Sequence, residues 1–183
     1  MKRKLLILSV LAICLATLAA GTIAYFTSEG KAHNVITTGG VEITVQEWAD
    51  EAKTAPFEDL TGVMPNTTVT KIAEIKNTGA SDAWVRVKVE KNIKLQGEGT
   101  PDTSLVELTR SANHWTEKDG YYYYTKPLKP GEVTAPIFTA VTFNANMGNE
   151  YQNATATVDV FAQAVQTANN GATVMDAQGW PRA

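Results

Sequence analysis

Hydrophobic and polar positions follow two regimes along this chain. Residues 5–24 are almost wholly apolar and show no period, behind the cationic Lys2-Arg3-Lys4. From residue 41 the period becomes two. Val41, Ile43 and Val45 alternate with Glu42, Thr44 and Gln46, and Trp48 closes the run. That is the pattern of a strand with one face in the core and one in water. Residues 84–91 repeat it most cleanly, with Val85, Val87 and Val89 against Arg86, Lys88 and Glu90. Further strands are expected over residues 68–76, 137–144 and 155–166. In the last, Val158 and Val160 take one face and Phe161 and Val165 the other.

Turn chemistry separates these runs. Asn77-Thr78-Gly79, Pro130-Gly131, Met147-Gly148-Asn149 and Asn169-Asn170-Gly171 each mark a reversal. Asp119-Gly120 stands between Trp115 and the run Tyr121-Tyr122-Tyr123-Tyr124, a strong hairpin signal. Residues 104–110 read as a short helix, on the cap at Thr103-Ser104 with Glu107 behind it, or as a strand; the β-branched content tilts toward strand. Residues 49–65 form a loop and residues 25–38 a polar, extended arm. The tail from residue 172 has room for one helical turn, with Trp180 packed back on the sheets. Seven or eight short strands with many turns and no long amphipathic helix predict an all-β, antiparallel β-sandwich over residues 41–183. An arm (25–40) and an N-terminal signal helix (1–24) precede it. No fixed-period repeat is present, which excludes a solenoid.

The leader changes the picture most. A basic start, an apolar stretch and then small residues is the order of a secretory signal. Thr22-Ile23-Ala24 places the cut after Ala24, with Tyr25 first in the mature chain, and Ala19-Ala20-Gly21 is a competing site. The alternative is a retained anchor, since about 20 apolar residues span a bilayer. Membrane contact is expected only through the uncleaved signal. Cleavage removes three of 16 Lys and Arg and none of 19 Asp and Glu, leaving 13 against 19, a net of −6. With no basic block, a nucleic-acid partner is excluded. The single cysteine, Cys14, lies in the leader behind Ile13, a poor context for lipid attachment. The mature domain therefore has no thiol and no disulfide.

Candidate chemistry is sparse. A zincin needs two histidines one helical turn apart with a glutamate beside them; His33 and His114 are far apart in the chain. There is no Gly-x-Ser-x-Gly elbow. Glu47, Asp50, Glu51, Glu58 and Asp59 cluster in sequence but lack the donor spacing of a calcium loop, so a solvated acidic loop is favoured over weak calcium binding. Asn66-Thr67-Thr68 and Asn153-Ala154-Thr155 match glycosylation sequons and are read as turn residues. No catalytic residue, metal ligand or cofactor is expected. The tyrosines remain: Tyr121 and Tyr123 point one way, Tyr122 and Tyr124 the other. One pair fills the core and the other needs cover from a loop, a partner or sugar, which makes these four the candidate contact aromatics.

The junction Gly21-Thr22-Ile23-Ala24-Tyr25-Phe26-Thr27, followed by Thr37-Thr38-Gly39-Gly40-Val41-Glu42-Ile43, resembles that of proteins released by the SipW-type signal peptidase. This is the TasA and camelysin group. Met64-Pro65-Asn66, Lys76-Asn77-Thr78-Gly79 and Ala83-Trp84-Val85-Arg86-Val87-Lys88-Val89 are similar to paired strands of that group. Asp119-Gly120-Tyr121-Tyr122-Tyr123-Tyr124, Leu128-Lys129-Pro130-Gly131-Glu132, Phe138-Thr139-Ala140-Val141-Thr142-Phe143 and Met147-Gly148-Asn149-Glu150-Tyr151 are similar to clostridial exported proteins with the same signal type. The resemblance implies export to the cell surface or biofilm matrix, processing by a SipW-type signal peptidase and a jelly-roll-like domain. It also implies self-assembly, in which the freed arm of one subunit completes the sheet of the next. The candidate donor anchors are Tyr25, Phe26, Val35 and Ile36, although Ser28-Glu29-Gly30-Lys31 interrupts their apolar alternation; a disordered mature N-terminus is the alternative. A monomeric secreted adhesin using the tyrosines is a second functional expectation. A camelysin-like metallopeptidase is a third, opposed by the absent ligand set.

Overall fold

The computed structural model describes residues 36–37, 40–58 and 64–181. The leader, the cleavage residues Ala24 and Tyr25, the anchors Phe26 and Val35, His33 and Asp59 lie outside them. The described chain is all-β. Its strands are β1 (Ile36–Thr37), β2 (Ile43–Trp48), β3 (Thr67–Asn77), β4 (Ala83–Lys94), β5 (Val106–Arg110), β6 (Trp115–Lys118), β7 (Tyr121–Tyr124), β8 (Phe138–Phe143) and β9 (Thr155–Gln166). One sheet has the order β1-β9-β4-β7-β6 and the other β2-β3-β8-β5. Every pairing is antiparallel except β1 with β9.

The period of two explains how the sheets meet. Ile43, Ala73, Ile75, Val106, Phe138 and Val141 from one sheet share a core with Val85, Val87, Val160, Ala162 and Ala164 from the other. The intervening residues face outward. Val87 lies opposite Ala162 and Val85 opposite Ala164 across β4 and β9; small residues facing valines let the second sheet approach. Irregularities between Thr70 and Ala73 on β3 and between Thr109 and Arg110 on β5 bend this sheet where the ladder slips.

The turns form as their chemistry dictates. Asp119 and Gly120 both take positive φ, 52° and 76°, the conformation of the tight turn that suits a right-twisted hairpin. Asn77 is fully buried at the end of β3; its Nδ2 donates to the carbonyls of Ser81 and Leu128, each at 2.8 Å, and its Oδ1 accepts from Gly79 N at 2.9 Å. The ambiguous stretch resolves into both elements. A 3₁₀ turn at Thr103–Leu105, capped by the Asp102 carboxylate on Ser104 N, leads directly into β5. A second 3₁₀ turn, Asn149–Tyr151, follows Gly148 where only a reversal was expected. The tail contains turns and no helix among its described residues. Among the described residues, no helix is long and apolar enough to cross a membrane.

Candidate interaction site

β9 presents two unequal edges. Along one it pairs with β4 over its whole length, from Thr155 opposite Lys94 to Gln166 opposite Ala83. Along the other, among the described residues, only Ile36 and Thr37 pair with it, opposite Gln163 and Ala164 and in parallel. Of the expected donor anchors, Ile36 alone is described, and it stands at this edge. Over residues 155–162, no described residue pairs with that edge. An unfilled run of N–H and C=O groups is the physical requirement for strand addition.

A buried ion pair lies beside this edge. Lys71 sits on the inward row of β3, in step with Val69, Ala73 and Ile75, while Glu47 pairs across to Ala73 and shares the inward row of β2 with Ile43 and Val45. Their side chains are only 9% and 12% exposed, and Nζ to Oε1 is 3.0 Å. The Lys71 ammonium stands 4.3 Å over the centre of the Phe57 ring and 3.5 Å from the Val158 carbonyl of β9. Phe57 is held there because its own N–H donates to Glu47 O at 3.0 Å, with Trp48 bridged to Pro56. On the outer face of the same strands, buried Glu74 accepts from Trp48 Nε1 at 3.0 Å and pairs with Lys53. The acidic stretch therefore disperses. Glu47 turns inward, whereas the Asp50 carboxylate closes its own loop, accepting from the Thr54 hydroxyl and from the N–H groups of Thr54 and Ala55. The Thr54 bonds hold the Asp50 carboxyl below the usual aspartate range. Glu51 and Glu58 are exposed.

One strand further on, a second inward lysine lies directly across from Val158. Lys91, inward on β4, donates to the Val106 carbonyl of edge strand β5 at 2.6 Å. At the other end of β5, Arg110 pairs with Glu117 at 3.0 Å and lies 4.8 Å over the Tyr122 ring. Burial, partly offset by Arg110, raises the Tyr122 hydroxyl above the ordinary tyrosine pKa.

The tyrosines split as their alternation predicts. Tyr124 enters the core against Trp115, with ring centres 5.0 Å apart. Tyr121 and Tyr123 lie on the far face of their sheet, and the chain's own tail covers them. Arg86 is stacked between Tyr121 and Trp180, at 4.1 and 4.7 Å, and Trp180 meets Tyr123 edge-on at 6.0 Å. Arg86 Nε also donates to Gln163 Oε1 at 2.7 Å. The tail is tied down at Asn170. Its carbonyl accepts from Trp84 Nε1, and its side-chain amide makes two bonds with the backbone of Gln178. Tyr123 and Tyr124 are 8% and 7% exposed, so burial removes both from any external contact.

His114 is an exposed turn residue at positive φ, entering β6 edge-on to Tyr124 at 6.2 Å. Among the described residues, no group of three His, Cys, Asp or Glu is placed to hold a metal ion. The Lys71–Glu47 pair escaped the sequence reading, although a sign of it was there: Lys71 is a charge on the apolar side of an alternating run.

The fold defines the class, an all-β domain of two sheets about one core. No family model, curated protein or solved structure matches the chain.

Proposed function

We propose that this is a secreted, non-enzymatic protein of the cell surface or biofilm matrix, a fibre subunit that assembles by strand addition between copies. The observation that carries this reading is the unequal edges of β9: filled by β1 at Gln163 and Ala164, bare over residues 155–162 among the described residues. An arm released at Tyr25 supplies the missing strand. Main-chain hydrogen bonds then give affinity and the alternate side chains give register. A leader that is still attached holds the arm at the membrane, so cleavage between Ala24 and Tyr25 by a SipW-type signal peptidase acts as the switch. Two further features support the same reading. The pairing of early with late strands, β3 with β8 and β4 with β9, has the interleaved order of a jelly roll. The resemblance at residues 21–43 points to the same exported group.

The test is assembly of the protein beginning at Tyr25. Fibres are expected by electron microscopy, and deletion of residues 25–36 abolishes them while the far-ultraviolet spectrum stays that of a β protein. A folded monomer at every concentration overturns the reading.

A further inference from the structure

We propose that Asn170 is a modification site whose deamidation releases the tail from Trp84 and Tyr123. The chain contains a single Asn-Gly pair, Asn170-Gly171, and the fold sets it at the root of that tail. The site is independent of strand addition.

The chemistry needs only the dipeptide and water. The Gly171 backbone nitrogen attacks Asn170 Cγ. A new N–C bond closes a succinimide ring, the bond from Cγ to Nδ2 breaks, and ammonia leaves carrying the Gly171 amide proton. Water then opens the ring at either carbonyl. Opening at Cγ gives aspartate. Opening at the backbone carbon gives isoaspartate, in which the chain runs through Cγ. Glycine favours the attack because no side chain shields its nitrogen. The fold also requires glycine here: Gly171 has φ of 80°, and a Cβ on it would stand 2.9 Å from the backbone carbon of Asp176. The turn that anchors the tail therefore keeps the residue that makes Asn170 labile.

While the tail is closed, the reacting groups are held apart from this path. Asn170 Nδ2 donates to Gln178 O at 3.0 Å, and Oδ1 accepts from Gln178 N at 2.8 Å. The Asn170 carbonyl accepts from Trp84 Nε1 at 3.1 Å, and its N–H donates to Thr167 O at 3.1 Å. Bonds on both heteroatoms fix Cγ, so attack draws on the fraction of molecules in which the tail has opened locally.

The products cannot restore the closed state. An aspartate at 170 keeps an acceptor for Gln178 N but has no N–H for Gln178 O, so two oxygens face each other. Asp176, packed against Gly171, brings a like charge to the same turn. Isoaspartate turns the carbonyl that Trp84 holds into a free carboxylate and displaces the backbone. Either way a transient opening becomes permanent. Trp84, Tyr123 and Val165 then lose the cover of Val174, Ala177 and Trp180. Arg86 keeps Tyr121 on one side but loses Trp180 from the other.

The experiment ages the protein beginning at Tyr25 in mildly alkaline buffer and follows it by peptide mapping with mass spectrometry. Asn170 is expected to convert before any other asparagine, giving separable aspartate and isoaspartate peptides. Binding of an environment-sensitive dye should rise in proportion to the converted fraction, and N170D should show that higher binding from the start. W180A, which loosens the tail without touching the dipeptide, should convert about tenfold faster or more. Another asparagine converting first, or no conversion at Asn170, overturns the site. Conversion without a change in dye binding overturns the release, and an unaltered rate in W180A overturns the protection by the closed tail. Should N170D fail to fold by urea titration, the aged natural protein, modified after folding, gives the same readout.

Discussion

Lys71 and Glu47 are paired at 3.0 Å with both side chains largely buried. Breaking a buried pair leaves one desolvated charge behind, which costs far more than replacing the pair with apolar groups. Lys71→Met alone is therefore expected to lower unfolding free energy in urea by about 3–5 kcal/mol, whereas K71M/E47L stays near the natural stability. Asp50 acts in the opposite setting, at the surface. Its carboxyl is held below the ordinary aspartate value of 3.8, chiefly by the Thr54 hydroxyl bond and then by backbone N–H groups. A depressed carboxylate contributes stability that is complete above the unfolded pKa and is lost as pH falls through the folded one. The loop over residues 50–55 should therefore stay closed through the ordinary aspartate range and open only as pH falls through the lowered folded pKa. A carboxyl titration by NMR checks this; an Asp50 midpoint at or above 3.8 would contradict it. These individual roles were only partly readable from sequence. The inward position of Lys71 follows from alternation, but its partner comes from a different strand, and no local pattern names it.

Among the elements, turns and tail behave differently. A Cβ on Gly79 would stand 2.6 Å from the backbone nitrogen of Glu42, and backbone cannot step aside as a side chain can. Gly79→Ala is expected to destabilise the domain by about 1–3 kcal/mol, measured by thermal or urea unfolding. This turn and the Asp119-Gly120 hairpin were legible in advance because their chemistry is local: a few residues decide the backbone path. The tail is a tertiary element. Its cover over Trp84, Tyr123 and Val165 depends on Val174, Ala177 and Trp180 finding a face built from distant strands. Removing residues 172–183 should expose that face and raise binding of an environment-sensitive fluorescent dye, with the two-sheet core retained. Unchanged dye binding would show that the tail covers nothing. The split of residues 103–110 into a 3₁₀ turn and β5 has a similar cause. Asp102 caps the turn locally, but β8 supplies the partner that makes the remainder a strand.

At the scale of the whole molecule, β9 is paired along the whole of one edge and, among the described residues, only at Gln163 and Ala164 along the other, and the proposed assembly follows from that asymmetry. Protein processed to begin at Tyr25 is expected to form fibres, while chain that keeps its leader does not; sizing and microscopy of both forms decide it. The alternation of apolar and polar residues determined by itself that the domain is all-β, where its best strands and turns lie, and that the four tyrosines divide between two faces. Those properties depend on near neighbours, because a pleat reverses the side chain at every step. Which strands pair, that β1 runs parallel to β9, that the tail covers Tyr123, and that Lys71 meets Glu47 within reach of the Val158 carbonyl were decided only by tertiary structure. Such contacts join residues far apart in the chain, and their energies arise when burial brings them together.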